Sequence, residues 1–135
     1  MTPTDAVDTM CGVFRDAWVA AGYDLANVRW DDVTGAVTDE QVTWARVTIK
    51  HFAGPTRAFG QHRALYSNTG TLYVQIFTPA GGANQEAYDA SYAVVSAYRG
   101  AINSGVSFRD TRIREVGVSG AFQQTNVLTD FSYDD

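Results

Sequence analysis

The stretch Gly70-Thr71-Leu72-Tyr73-Val74-Gln75-Ile76-Phe77-Thr78-Pro79-Ala80-Gly81-Gly82 decides the fold class. Leu72, Val74 and Ile76 alternate with Tyr73, Gln75 and Phe77, the two-residue period of a strand whose faces meet different surroundings. Pro79 and the Ala80-Gly81-Gly82 turn end that strand. Asn84 then caps a predicted helix over about Gln85 to Ile102, with Glu86 and Asp89 in its first turn. Its predicted buried stripe is Tyr88, Ser91, Tyr92, Val95, Tyr98 and Ile102, and Asn103-Ser104-Gly105 stops it.

Working outward, Ser67-Asn68-Thr69-Gly70 reads as a hairpin turn between strands His62–Tyr66 and Thr71–Thr78. Further upstream, Gln41 to His51 alternates, with Ala45, Val47 and Ile49 on one face and Trp44, Arg46, Thr48 and Lys50 on the other. Between these strands, Phe52 to Gln61 contains Gly54-Pro55 and Gly60 and reads as a loop or open excursion. Residues 22–40 show little periodicity beyond a short strand near Val28–Trp30. The chain opens with a helix over about Thr4 to Ala21, capped by Thr4, with Asp5 and Asp8 near its positive end and Gly22 as its stop. Ala6, Met10, Val13, Phe14, Ala17, Trp18 and Ala21 form its apolar stripe.

Downstream, Val106–Val116 and Ala121–Tyr133 read as strands joined at Ser119-Gly120, the second with Val127, Thr129, Phe131 and Tyr133 on one face. These elements predict an α+β fold within one domain, residues 1–135. It is a mixed, mostly antiparallel sheet of about five strands with two main helices packed on it. A crossover through the second helix allows one parallel pairing.

Composition narrows the function classes. The chain has 135 residues, of which 45% are hydrophobic and 19% charged, so it can bury a core without staples. A net charge of −5 argues against a protein that coats nucleic acid. One cysteine, Cys11, excludes an internal disulfide framework and a cysteine-rich zinc site. No apolar run approaches the roughly 20 residues of a membrane-spanning helix, and the opening residues lack a basic-then-apolar leader pattern. The expectation is a cytosolic chain with no membrane partner.

Catalytic chemistry finds little support. His51 and His62 stand eleven residues apart, and Cys11 lies on a helix, so no metal site and no thiol nucleophile pair is expected. Gly81-Gly82 precedes a helix, but without a phosphate-binding motif, and Glu86 and Asp89 would repel an anion there. The carboxylate pairs Asp31-Asp32 and Asp134-Asp135 are adjacent residues in loop or tail, read as solvated. The reading is therefore not an enzyme and needs no cofactor. What stands out is nine Arg against one Lys, with seven Tyr and three Trp. Arginine and aromatic residues are enriched at protein interfaces and lysine is depleted there. The excursion sets Phe52, Arg57, Phe59 and Arg63 between strands, where exposed phenylalanines suit a partner surface. They are the candidate interface residues.

The run from Gly70 to Gly82 precedes an Ala- and Tyr-rich helix ending Tyr98-Arg99-Gly100. Then follow Gly105-Val106-Ser107-Phe108, Glu115-Val116-Gly117-Val118-Ser119-Gly120 and Gln123 to Asp134. In this order and spacing the chain, over about residues 41–135, resembles the tail-terminator (tail-completion) proteins of long-tailed bacteriophages and phage-derived particles, the group that includes the lambda tail terminator. The resemblance implies a homo-hexameric ring at the head-proximal end of the virion tail, assembled in the bacterial cytoplasm. Such a ring stops the tail tube protein from polymerising and faces the head–tail connector or head completion protein. DNA passes through it without specific binding, which predicts carboxylates on the channel wall. A prophage or gene transfer agent is as good a source as a phage. Two other readings fit the same elements: another head–tail joining or neck protein, or an α+β domain that binds or transforms a small molecule.

Overall fold

The computed structural model describes residues 1–31, 41–52, 56–59, 64–81 and 84–134. Helix α1 spans Pro3–Ala20 and helix α2 Gln85–Tyr98. The strands are β1 (Val28–Arg29), β2 (Trp44–His51), β3 (Thr56–Phe59), β4 (Ala64–Pro79), β5 (Ile102–Asn103), β6 (Val106–Ser119) and β7 (Phe122–Asp134). They form a seven-stranded sheet in the order β1-β2-β4-β7-β6-β5, with β3 paired to β4 outside that path. The fold is α+β as the sequence predicts, with two more strands than expected. Its parallel pair is β1 with β2. The α2 crossover instead leads through the β5–β6 hairpin into strands that pair antiparallel throughout.

The cap of helix α1 lies two residues before the expected one. Thr2 Oγ1 accepts from the Asp5 amide and the Asp5 carboxylate accepts from the Thr2 amide, a reciprocal capping box with Pro3 at the first helical position. The bond to the Thr2 backbone holds the Asp5 carboxyl below its ordinary range. Gly22, at φ +93°, ends the helix as expected. Ala6, Met10, Phe14 and Trp18 are buried, and Trp18 is fixed by a bond from Nε1 to the Asp24 carbonyl (3.1 Å) and by stacking on Tyr23.

In α2 the buried stripe is Ala87, Ala90, Ser91, Val94, Val95 and Tyr98. Tyr88 and Tyr92 are exposed, and Ile102 lies beyond the helix on β5, also exposed. The small residues let α2 approach α1 and the sheet closely, whereas two tyrosines on that face would hold it away. Tyr98 Oη donates to the Met10 carbonyl across the helix pair (2.7 Å), and burial pushes its phenol well above the ordinary range. Asn84 occupies the cap position without a side-chain cap bond. Glu86, in the first turn, instead accepts from Thr43 Oγ1 at 2.6 Å, tying α2 to the residue before β2.

Both helices pack on one face of the sheet. That face presents Ala45, Val47, Leu72, Val74, Ile76, Val106, Phe108, Val127, Phe131 and Tyr133 to them, together with the buried hydroxyls of Thr125 and Thr129. The expected faces of β2, β4 and β7 are thus observed.

The expected hairpin turn at Ser67–Gly70 does not exist. Those four residues are the middle of β4, which runs unbroken for 16 residues and pairs with β7 from Ser67↔Asp134 to Pro79↔Phe122. Gly70 serves close approach rather than a turn. A Cβ there would lie 2.1 Å from the Lys50 carbonyl oxygen and 2.5 Å from the Phe131 ring, which covers the glycine. Aromatic cover of a strand glycine supplies the packing that the glycine lacks. The turn expected at Ser119-Gly120 is observed one residue on, as Gly120-Ala121 between β6 and β7, with Gly120 at φ +62° as a two-residue loop requires.

Gly70→Ala is expected to lower the unfolding free energy by about 3 kcal/mol, because backbone and ring must both shift. Gly12→Ala, inside α1 with nothing within 4 Å of the added Cβ, should raise it by about 0.5–1 kcal/mol. Urea denaturation of both variants checks the pair, and equal midpoints would refute the reading of Gly70.

Candidate assembly surface

The expected loop from Phe52 to Gln61 contains a strand. The Phe52 amide donates to the Thr69 carbonyl at 2.8 Å, continuing the β2–β4 ladder by one residue, and the Phe52 side chain is 56% exposed. β3 then pairs antiparallel with the start of β4, from Thr56↔Tyr66 to Phe59↔Ala64, with an irregularity between Thr56 and Ala58. Residues Ala64–Tyr66 run past the last β4–β7 pair, Ser67↔Asp134, so this part is a two-stranded arm off the sheet. Arg57 and Phe59 lie on β3. Phe52 sits opposite Thr69 and Phe59 opposite Ala64, so the two phenylalanine positions are separated along the arm by roughly 17 Å, five residues of strand. Arg63 and His62 lie outside the described residues.

The second surface is the helix-free face of the sheet. Trp44 points to this face, as its alternation requires, yet it is only 4% exposed. It stacks on its cross-strand partner Phe77 (centroids 4.1 Å apart), meets Phe122 edge-on at 6.1 Å, and carries the Arg46 guanidinium 5.9 Å from its ring centroid. Its indole Nε1 is buried with no hydrogen-bond partner among the described residues. Register places Tyr73, Gln75, Asn126 and Leu128 on the same face, together with Lys50, Arg109, Arg112 and Arg114. Asp130 and Asp134 are carboxylates of this face; Asp130 accepts from Thr71 Oγ1 at 3.0 Å and lies 3.6 Å from Arg112. The sequence pattern signals the β2 and β4 parts of this face. The arginines of β6 escape it because irregularities between Arg109 and Arg112, and between Glu115 and Gly117, break the alternation.

The catalytic candidates are dispersed. His51 is at the end of β2, with Nε2 2.8 Å from Tyr133 Oη and its ring edge-on to Phe131. Cys11 lines a cleft of about 250 Å³ with Val7, Trp30, Asp31, Val47 and Ile49. Burial there pushes its thiol up, away from the thiolate a nucleophile needs. A polar cavity of about 320 Å³ near the root of the arm offers Ser67, Ser107, Ser132 and Asp134. Hydroxyls and one carboxylate there can hydrogen-bond a ligand. Among the described residues no group of three or more His, Cys, Asp or Glu could hold a metal ion, and no helix is long and apolar enough to cross a membrane.

Comparison with solved structures shows what the fold is similar to. A chain named only by a sequence identifier aligns with a TM-score of 0.58 at 15% identity, over 90% of this chain and 94% of that one. A chain from the virion of a native gene transfer agent (GTA) particle aligns with a TM-score of 0.50 at 16% identity, over 95% of this chain and 93% of that one. Both likenesses are of fold and run nearly end to end in either direction. No protein-family model and no curated protein matches the sequence.

Native protein should alkylate at Cys11 several-fold more slowly than urea-unfolded protein when treated with iodoacetamide at pH 7.5, since burial both covers the thiol and disfavours its thiolate. Equal rates would show that Cys11 is neither covered nor held as a thiol by burial.

Proposed function

We propose that this chain is a non-enzymatic structural protein of a phage-like particle, of tail-terminator type. It forms a ring, hexameric, on the head-proximal end of the tail tube, ends tube polymerisation and offers its other side to the head connector. It is made in the bacterial cytoplasm and resides in the virion tail. The observation that carries the reading is the end-to-end fold likeness to a chain of a gene transfer agent virion, taken with the arm. A two-stranded ribbon is at best marginally stable in water, so one that leaves the sheet and bears an exposed phenylalanine at its root gains order by packing on a partner.

In this reading Phe52, Arg57, Phe59 and Arg63 reach a neighbouring subunit or the tube. The ring needs two different surfaces on each copy, since only a head-to-tail contact closes a cycle larger than two. DNA crosses the lumen without specific contacts.

Electron microscopy tests both levels. Particles made without this chain should show overlong, headless tails, and tails of normal length would refute the terminator role. Tails of normal length that fail to join heads would instead mark a neck protein. An Arg57→Ala/Phe59→Ala variant that still melts as the wild type should also give overlong tails, and tails of normal length would remove the arm from the interface.

A further inference from the structure

Among the described residues, charge is divided between the two layers of the molecule. On the helix-free face of the sheet, register and contacts place Arg46, Lys50, Arg109, Arg112 and Arg114 against the carboxylates Asp130 and Asp134. On the helical layer Asp5, Asp8, Asp16, Glu86 and Asp89 are exposed, and Arg15 and Arg99 are the cations of α1 and of the α2 terminus. Asp24, Asp31 and Glu115 add to the acidic side: Asp24 caps the turn after α1, and Glu115 bonds Tyr88 of α2. A chain whose net charge is −5 therefore presents one basic face.

We infer that the helix-free sheet face is the seat for the acidic helical layer of a second copy, so that subunits stack sheet-on-helices, head to tail. This deepens the ring reading above and rests on it by naming the surfaces that close the ring. Opposite potentials on two faces of one chain steer copies into that orientation and disfavour sheet-on-sheet or helix-on-helix encounters, where like charges meet. The side chains suit a protein partner. Four of the five cations are arginine, and Arg46 lies over the Trp44 ring that stacks on Phe77 and meets Phe122, a pairing of guanidinium with aromatic common at protein interfaces. A polyanion fits less well, because Asp130 and Asp134 interrupt the basic surface and the whole chain repels it. Covering these cations also keeps them out of the channel.

The test uses two full-length variants. Lys50→Glu/Arg114→Glu makes the sheet face acidic, and Asp8→Lys/Asp16→Lys makes the exposed side of α1 basic. Sedimentation velocity of the wild type should show ring-sized species at 50 mM NaCl that weaken at least tenfold by 500 mM, as screening shortens the reach of the charges. Each variant alone should remain monomeric while keeping the wild-type circular dichroism. An equimolar mixture should recover rings, because the acidic sheet of one variant meets the basic α1 of the other and the reverse contact is also complementary. That rescue cannot come from a misfolded chain.

Assembly of either variant alone, or a mixture that stays monomeric, overturns the inference. So does a sheet variant that assembles normally but no longer retains duplex DNA on a filter, which would make the face a polyanion seat. A wild-type chain that remains monomeric at 50 mM NaCl yet caps tubes also overturns this pairing and leaves the proposed function standing. Rings that form through these faces but leave tube length unchanged refute the function and leave the pairing standing.

Discussion

The ring of Phe131 occupies the space that a side chain at position 70 would fill, and the rest of the architecture depends on that contact. With glycine there, β4 passes between the Lys50 carbonyl and the Phe131 ring without a break. One strand can then be shared by three partners: β2 and β7 along the sheet, and β3 beyond it. The length of β4 converts a compact core into a support for the arm. Its second half is anchored by Leu72, Val74 and Ile76 beneath the helices, and its first half carries the arm out past the end of β7. Any residue larger than glycine would force the strand to bend at the point where core and arm join.

The same sheet separates two chemistries. Toward the helices it is apolar, closed by the small residues of α2 and by the bond from Tyr98 to the Met10 carbonyl. Away from them it is aromatic and basic, with Trp44 held between Phe77, Phe122 and Arg46. A strand puts alternate side chains on opposite faces, so each residue of β2, β4 and β7 contributes to one surface or the other. The buried face accounts for stability. The other face carries four of the nine arginines and the single lysine. The acidic helices and the basic sheet are thus the two ends of one asymmetric unit, a property suited to head-to-tail assembly.

This arrangement also bears on the alternative of a small-molecule site. The two clefts lie apart from each other. Cys11 is held as a thiol, and His51 is engaged by Tyr133. The extended surfaces, by contrast, combine exposure, charge and aromatic area, the features of recognition between macromolecules.

The sequence by itself determined the α+β class, the helix-facing alternation of β2, β4 and β7, the first helix and its glycine stop, and the arginine–aromatic bias. Each of these is a local pattern: a period of two or 3.6, or a conformation that one residue type favours. Tertiary structure decided the rest. Ser67-Asn68-Thr69-Gly70 has the composition of a turn, and only the ring of Phe131, brought in by a residue 61 positions away, makes it strand. The tyrosines of α2 have the spacing of a buried stripe, and only the closeness of α1 turns the alanines inward instead. Thr2 took the cap from Thr4 by a bond local to the chain, but the parallel partner of β1, the arm built on β3 and the gathering of the β6 arginines opposite the helices depend on contacts between distant segments. Periodicity states which side chains share a face; it does not state what that face will meet, because the neighbour is supplied by the fold.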